Sequence, residues 1–169
     1  MMAIQLIFVV ESDEKSQSDY IYIQSVLNKQ YNVRLKNNIK ISRVFMRGKG
    51  NYNKKRVLNE IANLERKYSK IGKSQVIYCF DTDLFESKNE DKMFLEQEKT
   101  FCEKNNYDFV WFCHTIEEVF WGESSPKAEK TQKAVRFSAN PQLNNLELHS
   151  DVMRKGKSNL RMILDNYLK

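Results

Sequence analysis

The sequence predicts an α/β fold in which helices flank a mainly parallel four-stranded sheet. The first observation is that four short segments rich in β-branched and aromatic residues alternate with segments whose apolar residues recur at helical spacing. The second is that strand and helix follow one another three times in succession, which favours right-handed crossovers and parallel strands. The 169 residues are enough for one domain of this Rossmann-like type with a proper core.

The predicted strands are dominated by apolar residues and end abruptly at charged or polar ones. Residues 3–10 (AIQLIFVV) form a continuous apolar run, as expected of a strand that is buried on both faces. The other three predicted strands are residues 40–46 (KISRVFM), 74–80 (SQVIYCF) and 107–113 (YDFVWFC).

The segments between and after these strands are predicted to be amphipathic helices. The predicted helices cover residues 16–29, 56–68, 92–104, 115–121 and 160–168. Ser16 and Asp19 support the start of the first helix, and the last helix is expected to cover one face of the sheet. Residues 124–137 are polar and basic, which leaves a flexible insertion and a short helix both open. We divide the chain into a core, residues 1–122, and a basic C-terminal extension, residues 123–169, packed on the same domain.

The sequence also predicts where in the cell the protein is located and the state of its cysteines. No apolar run approaches the roughly 20 residues that span a bilayer, and the N-terminal residues lack the features of a secretory signal. We therefore expect a cytoplasmic protein without a membrane partner. Cys79, Cys102 and Cys113 lie in apolar surroundings without the paired spacing of a zinc site or disulfide framework, which favours reduced core thiols. His114 and His149 stand in no recognisable catalytic spacing.

Acidic residues follow three of the predicted strands at the point where each one ends. They are Glu11 after the first strand, Asp81 and Asp83 after the third, and Glu117 and Glu118 after the fourth. The carboxyl ends of parallel strands meet at one edge of a sheet, where α/β folds bind their ligands, so we expect these side chains to lie close together. As strand residues, Asp81 and Asp83 would share a face, roughly 6.5 to 7 Å apart.

Carboxylates placed so close repel one another unless protons or a counter-cation relieve them. Mg²⁺, or Mn²⁺, is the natural counter-cation, because hard divalent ions prefer carboxylate oxygens, water and substrate phosphates. Each acid alone also has an ordinary explanation, since Glu11 could stabilise the N-terminus of the next helix and either Asp could cap a turn. The conjunction of three acidic patches at three strand ends favours a shared metal site.

A basic loop follows the second predicted strand and should border the same edge. Residues 31–73 contain thirteen Lys or Arg against two Glu, which suits a polyanion such as DNA or RNA, although solvated helix faces would also produce this bias. Tyr52 could stack on a base. The candidate nucleic-acid-binding residues are Lys15, Arg47, Lys49, Lys54, Lys55 and Arg56. The loop does not match the P-loop pattern, so ATP hydrolysis is not expected.

Three segments, in this order, resemble the signature regions of the TOPRIM domain: FVVESDEKSQSDYIYIQSVL, IYCFDTDLF and HTIEEVFWG. This domain is shared by type IA and type II topoisomerases, bacterial primases, OLD-type nucleases and a small ribosomal-RNA maturase. The chain looks most similar to the small RloB-like and OLD-type proteins. The resemblance covers residues 3–122 and implies a TOPRIM core with a C-terminal helical extension.

The resemblance implies a role for each matched residue. Glu11 corresponds to the Glu that is associated with acid/base chemistry in strand breakage or joining. Asp81 and Asp83 correspond to the Asp-x-Asp pair that is associated with Mg²⁺. In the third region Glu117 and Glu118 fit the motif in different registers, so both are candidate metal ligands.

Three functions are compatible with these features. The first is a Mg²⁺-dependent nuclease or related phosphoryl-transfer enzyme acting on DNA or RNA, in phage defence or in a mobile element. The second is a nucleic-acid-binding adaptor that acts with a separate ATPase or effector. It is favoured by Ser12, which stands where the family usually has Gly and predicts a backbone less free to approach a ligand. The third is a nucleotide-binding signalling protein that ignores polymers. A homodimer is also compatible with the sequence, whereas one small domain offers no separate gate for topoisomerase action.

Overall fold

The structure of the protein is a computed structural model that describes residues 2–169. Across these residues one sheet contains five strands: β1 (Ile4–Val10), β2 (Ile39–Phe45), β3 (Lys73–Asp81), β4 (Asp108–Cys113) and β5 (Lys157–Ser158). Their spatial order is β2-β1-β3-β4-β5. The first four strands pair in parallel, and β5 pairs antiparallel with β4.

Helices connect the strands and cover the sheet. Within the described part of the chain they are α1 (Ser18–Tyr31), α2 (Lys55–Tyr68), α3 (Asn89–Lys104), α4 (Ile116–Trp121), α5 (Lys130–Ala139) and α6 (Leu160–Leu168). None of these helices combines the length and the apolar character needed to cross a bilayer.

The core lies on both faces of the sheet. One cluster packs α1, α5 and α6 against the face that presents Leu6 and Phe8. The other packs α2 and α3 against the face that presents Ile7 and Val9. Because successive residues of β1 enter different clusters, β1 is buried on both faces, as its continuous apolar run predicts.

The α/β class and the four parallel strands are confirmed, and each strand lies within one residue of its predicted bounds. The sheet, however, has five strands and not four. Ser158 and Lys157 of the C-terminal extension pair with Phe112 and Cys113 of β4. Two residues are too short to show a hydrophobic period, so the sequence pattern does not reveal this strand.

Two helices differ from the prediction in ways that affect the site. Helix α1 begins at Ser18 and not at Ser16, because the preceding residues form a turn in which Asp13 accepts hydrogen bonds from the backbone N–H groups of Ser16 and Gln17. Part of the polar segment forms α5, which resolves the open choice for residues 124–137 in favour of a helix. Helix α6 covers one face of the sheet as predicted, since Leu160 and Leu164 are buried in the same cluster as α1.

Candidate functional site

The order of strands reverses between β1 and β3, and the carboxyl ends of these strands border a cleft. β2 lies on one side of β1 and β3 on the other, which is the arrangement that creates a crevice in open α/β sheets. The cleft has a volume of about 540 Å³. Its charged lining consists of Glu11, Asp13, Asp19, Lys49, Asp81, Glu117, Lys127 and Lys130.

Glu11 directly follows β1, and its side chain reaches across to β3. Its Oε2 accepts a hydrogen bond of 2.7 Å from the backbone N–H of Asp81. Its carbonyl accepts a bond of 2.9 Å from the N–H of Gly48, which holds the basic loop against the strand end. Burial raises the pKa of Glu11 to about 7, while Lys49 opposes this shift. A carboxyl group with a pKa near neutrality can both take up and release a proton at cellular pH.

Asp81 is the last residue of β3 and connects that strand to α4. Its Oδ1 accepts a hydrogen bond of 2.9 Å from the N–H of Ile116, in the first turn of α4. Burial, followed by repulsion from Glu11 and Glu117, raises the pKa of Asp81 well above its usual range. These three carboxyl groups could therefore hold a cation, which would relieve their repulsion.

The two glutamates of α4 face different surroundings. Glu117 is only 2% exposed and lines the cleft, where its Oε1 lies 3.7 Å from Lys130 Nζ. Its Oε2 is buried without a hydrogen-bond partner among residues 2–169. Glu118 turns away: its Oε2 accepts a bond of 3.0 Å from the backbone N–H of His114. Of the two alternatives, Glu117 is the one that lies beside Asp81.

Asp83 and Lys49 form an ion pair beside the cleft. β3 ends at Asp81, and Asp83 has a left-handed backbone with φ of 49°, so the two aspartates do not share a strand face as their spacing predicts. Asp83 Oδ2 lies 2.9 Å from Lys49 Nζ, which also donates to the backbone carbonyl of Asp81. Burial opposes the charge of Lys49, but the attraction of Glu11, Glu98 and Asp83 outweighs it and raises the pKa of Lys49.

Asp19 is a further acid of the cleft, and it lies on α1 where the strand-end pattern cannot reveal it. Its Oδ2 accepts a hydrogen bond of 3.1 Å from the N–H of Ser12, and its Oδ1 accepts another from the Ser12 hydroxyl. Burial raises the pKa of Asp19. Ser12 does not have a positive φ, so the backbone here does not need glycine. The Ser12 side chain instead orients an acid of the cleft.

The arginines of the basic loop have partners within the protein. The Nε of Arg47 lies 3.0 Å from Glu14 in an exposed ion pair. Arg56 pairs with Glu60 and also donates to the carbonyl groups of Phe45 and Met46 at the end of β2. Arg56 therefore stabilises the exit from β2, and a phosphate would have to compete with these contacts.

The remaining basic candidates are solvent-accessible, but the aromatic candidate is not. Lys15, Lys54 and Lys55 are exposed and follow the carboxyl ends of β1 and β2. Tyr52 is 9% exposed, and its ring lies edge-on to Phe101 with 5.1 Å between the ring centroids. The prediction that Tyr52 stacks on a base is wrong, because its ring is part of the core.

Two lysines of the C-terminal extension, Lys127 and Lys130, lie on the rim of the cleft. The composition of residues 124–137 shows that the segment is basic, but not where it lies. Its position follows from the packing of α5 against α1, where Ala134 and Phe137 are buried. Only tertiary packing therefore brings these lysines to the acids of the strand ends.

Comparisons of the chain with protein-family models, with curated proteins and with solved structures find no match. Function is therefore inferred from the chemistry of the cleft. Carboxylates at its floor could bind a hard divalent cation, and lysines at its rim could bind phosphate groups. Together these groups suit a reaction at a phosphodiester.

Proposed function

We propose that the protein is a Mg²⁺- or Mn²⁺-dependent nuclease, or a related phosphoryl-transfer enzyme, of the TOPRIM type that acts on DNA or RNA. The observation that carries this proposal is the convergence of Glu11, Asp81 and Glu117 in one cleft whose rim bears Lys127 and Lys130. Metal-assisted cleavage needs acids for the ion and cations for the polymer backbone, and the cleft offers both. The resemblance to small RloB-like proteins extends the proposal to a role in phage defence or a mobile element.

Asp81 and Glu117 would hold the metal. The buried Oε2 of Glu117 supports this assignment, because an anionic oxygen without a partner is costly unless a cation binds it. A bound divalent ion would supply charge neutralisation for the scissile phosphate and would lower the pKa of a water molecule. Asp83 is engaged by Lys49, so Asp83 would join the metal only after this ion pair opens.

Glu11 would serve as the general acid or base. Its pKa of about 7 lies near the operating pH, where an acid/base catalyst is most effective. The hydrogen bond from Asp81 fixes its carboxylate at the floor of the cleft. Lys127 and Lys130 would bind phosphate groups beside the scissile one and so align the polymer.

Lys49 favours a second candidate, a nucleic-acid-binding adaptor without catalytic activity. Its ammonium group contacts Asp81 and Asp83 and is the main group that lowers the pKa of Glu11. It therefore supplies some of the positive charge that a metal ion would supply. A chain of this kind would bind DNA or RNA without cutting it and would depend on a partner ATPase or effector.

Cleavage assays with the purified protein separate the two candidates. Labelled plasmid, single-stranded DNA and structured RNA would be incubated with Mg²⁺, Mn²⁺ or EDTA, beside equally pure Glu11→Gln and Asp81→Asn variants. The nuclease proposal expects metal-dependent cleavage that falls at least about a hundredfold in Glu11→Gln. Asp81→Asn is expected to lose activity and to need a higher metal concentration for any activity that remains, because Asp81 is a proposed metal ligand.

Glu14→Gln is the matched control. Glu14 lies three residues after Glu11 but is half exposed and pairs with Arg47 outside the cleft, so this variant should keep full activity. Cleavage that persists in Glu11→Gln would reject the proposed site. Binding of the polymer without any cleavage would favour the adaptor.

A further inference from the structure

A second group of metal-ligand side chains lies outside the cleft, at the carboxyl end of β4. Cys113 is the last residue of β4, His114 follows it, and Glu86 lies in the loop between β3 and α3. A carboxylate oxygen, a thiol sulfur and an imidazole nitrogen from these residues lie within 4.8 Å of one another. Two of the side chains lie at the end of β4 and the third lies in the loop after the neighbouring strand β3, so they converge only in the folded chain.

The distances from Glu86 to the other two side chains are close to those between neighbouring ligands around one metal ion. Glu86 Oε2 lies 2.9 Å from His114 Nε2, and Glu86 Oε1 lies 3.8 Å from Cys113 Sγ. Tetrahedral Zn²⁺ holds sulfur, nitrogen and oxygen at about 2.0 to 2.3 Å, which places neighbouring ligands roughly 3.3 to 3.8 Å apart. The Glu86 side chain is 46% exposed, so it can move by these few tenths of an ångström without repacking the core.

The two nitrogens of His114 both face carboxylates. Glu86 lies at Nε2, and Glu118 Oε2 lies 3.4 Å from Nδ1. A neutral imidazole has a single N–H, so one of its nitrogens would point a lone pair at a carboxylate. A second proton or a metal ion at Nε2 removes this conflict. Histidines that bind metals commonly have a carboxylate at the other ring nitrogen, because it fixes the tautomer and the ring orientation.

We propose that Glu86, Cys113 and His114 bind Zn²⁺ or a chemically similar transition-metal ion, and that Glu118 is a positioning residue behind His114. Thiolate and imidazole ligands favour such ions over Mg²⁺, so this site differs in chemistry from the acidic cleft. Three protein ligands leave the fourth tetrahedral position for water. The inference does not depend on the proposed nuclease activity.

Metal binding at this site would anchor the loop that follows β3. Glu86 belongs to that loop, whereas Cys113 and His114 belong to the end of β4. The same loop contains Asp83, whose N–H donates to the His114 carbonyl at 2.9 Å. A bound ion would therefore stabilise the segment on which the Asp83–Lys49 ion pair depends.

The test uses the full chain, stripped of metal and kept reduced, and titrated with Co²⁺ followed by Zn²⁺. We expect a near-ultraviolet thiolate-to-cobalt charge-transfer band that saturates at one Co²⁺ per chain and that Zn²⁺ abolishes. The carboxylates of the cleft cannot produce this band, so it reports on a cysteine thiolate, and the Cys113→Ser variant assigns it to Cys113. Cys113→Ser should lose the band, and Glu86→Gln should weaken binding by more than about a hundredfold. Glu118→Gln should keep the band while weakening binding about tenfold.

Cys102→Ala and Glu103→Gln are the matched controls, since these residues lie in the last turn of α3, at the end of the helix that is far from Glu86, and should leave titration and band unchanged. Cys113 is buried, so its replacement could disturb folding. Glu86→Gln changes an exposed side chain and tests the site without that risk. The proposed site would be overturned if the native protein did not produce the band. It would also be overturned if the variants of Glu86 and Cys113 bound the metal as the native chain does.

Discussion

The side chain of Glu11 and the backbone N–H of Asp81 are joined by a hydrogen bond of 2.7 Å across neighbouring strand ends. This bond depends on the parallel pairing of β1 and β3, whose register places Val9 opposite Tyr78. A one-residue slip in that register would turn the Glu11 side chain to the other face of the sheet. The strand register thus positions the proposed acid/base group beside the proposed metal ligand.

The two glutamates of α4 provide the first prediction. Glu117→Gln should weaken Mn²⁺ binding at least about tenfold and reduce cleavage, because Glu117 Oε2 is a buried carboxylate oxygen of the cleft that lacks a hydrogen-bond partner among residues 2–169. Glu118→Gln should leave both quantities nearly unchanged, since Glu118 faces His114. Isothermal titration with Mn²⁺ and the cleavage rate measure the two effects. Equal losses in both variants would contradict the assignment of Glu117 to the cleft.

The lysines of the cleft rim provide the second prediction. Replacing Lys127 and Lys130 together by Gln should weaken DNA or RNA binding and reduce the salt-dependence slope by about 1 for each phosphate that the protein no longer neutralises. Reversing the charge of Lys54 and Lys55 should also weaken binding. Fluorescence anisotropy at several salt concentrations measures these slopes. Because α3 lies on the opposite face from α5, the pair Lys99→Gln and Lys104→Gln is the control. An unchanged slope in the rim variant would remove Lys127 and Lys130 from the binding path.

The parts of the site that follow strands directly could be predicted from the sequence. Glu11 and Asp81 follow apolar runs long enough to reveal strands, and parallel strands bring such residues to one edge. Asp83 shows the limit of this reasoning. The strand ends before it, and its left-handed backbone directs its carboxylate to Lys49. Side chains alternate between the two faces of a sheet only within the strand itself, so this alternation does not apply to Asp83.

Other features depend on tertiary packing that no local pattern encodes. Asp19 belongs to a helix, and Ser12 orients it from seven residues earlier. Lys130 reaches the cleft because α5 packs on α1, a helix from the other end of the chain. Cys113 gives no paired spacing, since its neighbours in space include Glu86 from the loop between β3 and α3. The sequence of these segments gives no indication that they lie close together in the fold.

Lys49→Met provides the third prediction. Lys49 is the counter-charge of Glu11 and Asp83, so its removal should lower the free energy of unfolding of the metal-free protein at pH 8 by about 1 to 3 kcal/mol. The loss should shrink at pH 5, where Glu11 with its pKa of about 7 is protonated. Thermal melts at both pH values, with and without Mn²⁺, measure the effect.

The metalloenzyme proposal adds a further expectation for this variant. Mn²⁺ should raise the melting temperature of Lys49→Met more than that of the native protein, because the ion replaces the missing ammonium charge. Lys99→Met, an exposed change on α3, is the control. An equal loss of stability at pH 5 and pH 8 would show that the charge of Glu11 does not contribute to the effect of Lys49.

Glu98 provides the last prediction, which concerns the pH dependence of stability. Its side chain is fully buried on α3, and neither carboxylate oxygen has a hydrogen-bond partner within residues 2–169. Burial raises the pKa of Glu98 from 4.5 to about 9, while Lys49 opposes the shift. The folded state therefore binds this proton more tightly than the unfolded state does. The resulting stability is fully present below pH 4.5 and is lost as the pH rises towards 9.

Glu98→Gln removes this pH-dependent contribution to the free energy of unfolding, because the amide is neutral at every pH. The variant should be close to the native protein in stability at pH 5 and more stable than it at pH 8, by up to about 4 kcal/mol. Urea denaturation at the two pH values measures the difference. Glu96→Gln, an exposed change on the same helix, should follow the native pH profile. If Glu98→Gln also follows the native profile, Glu98 is ionised in the folded protein, and its charge must be compensated by Lys49 directly.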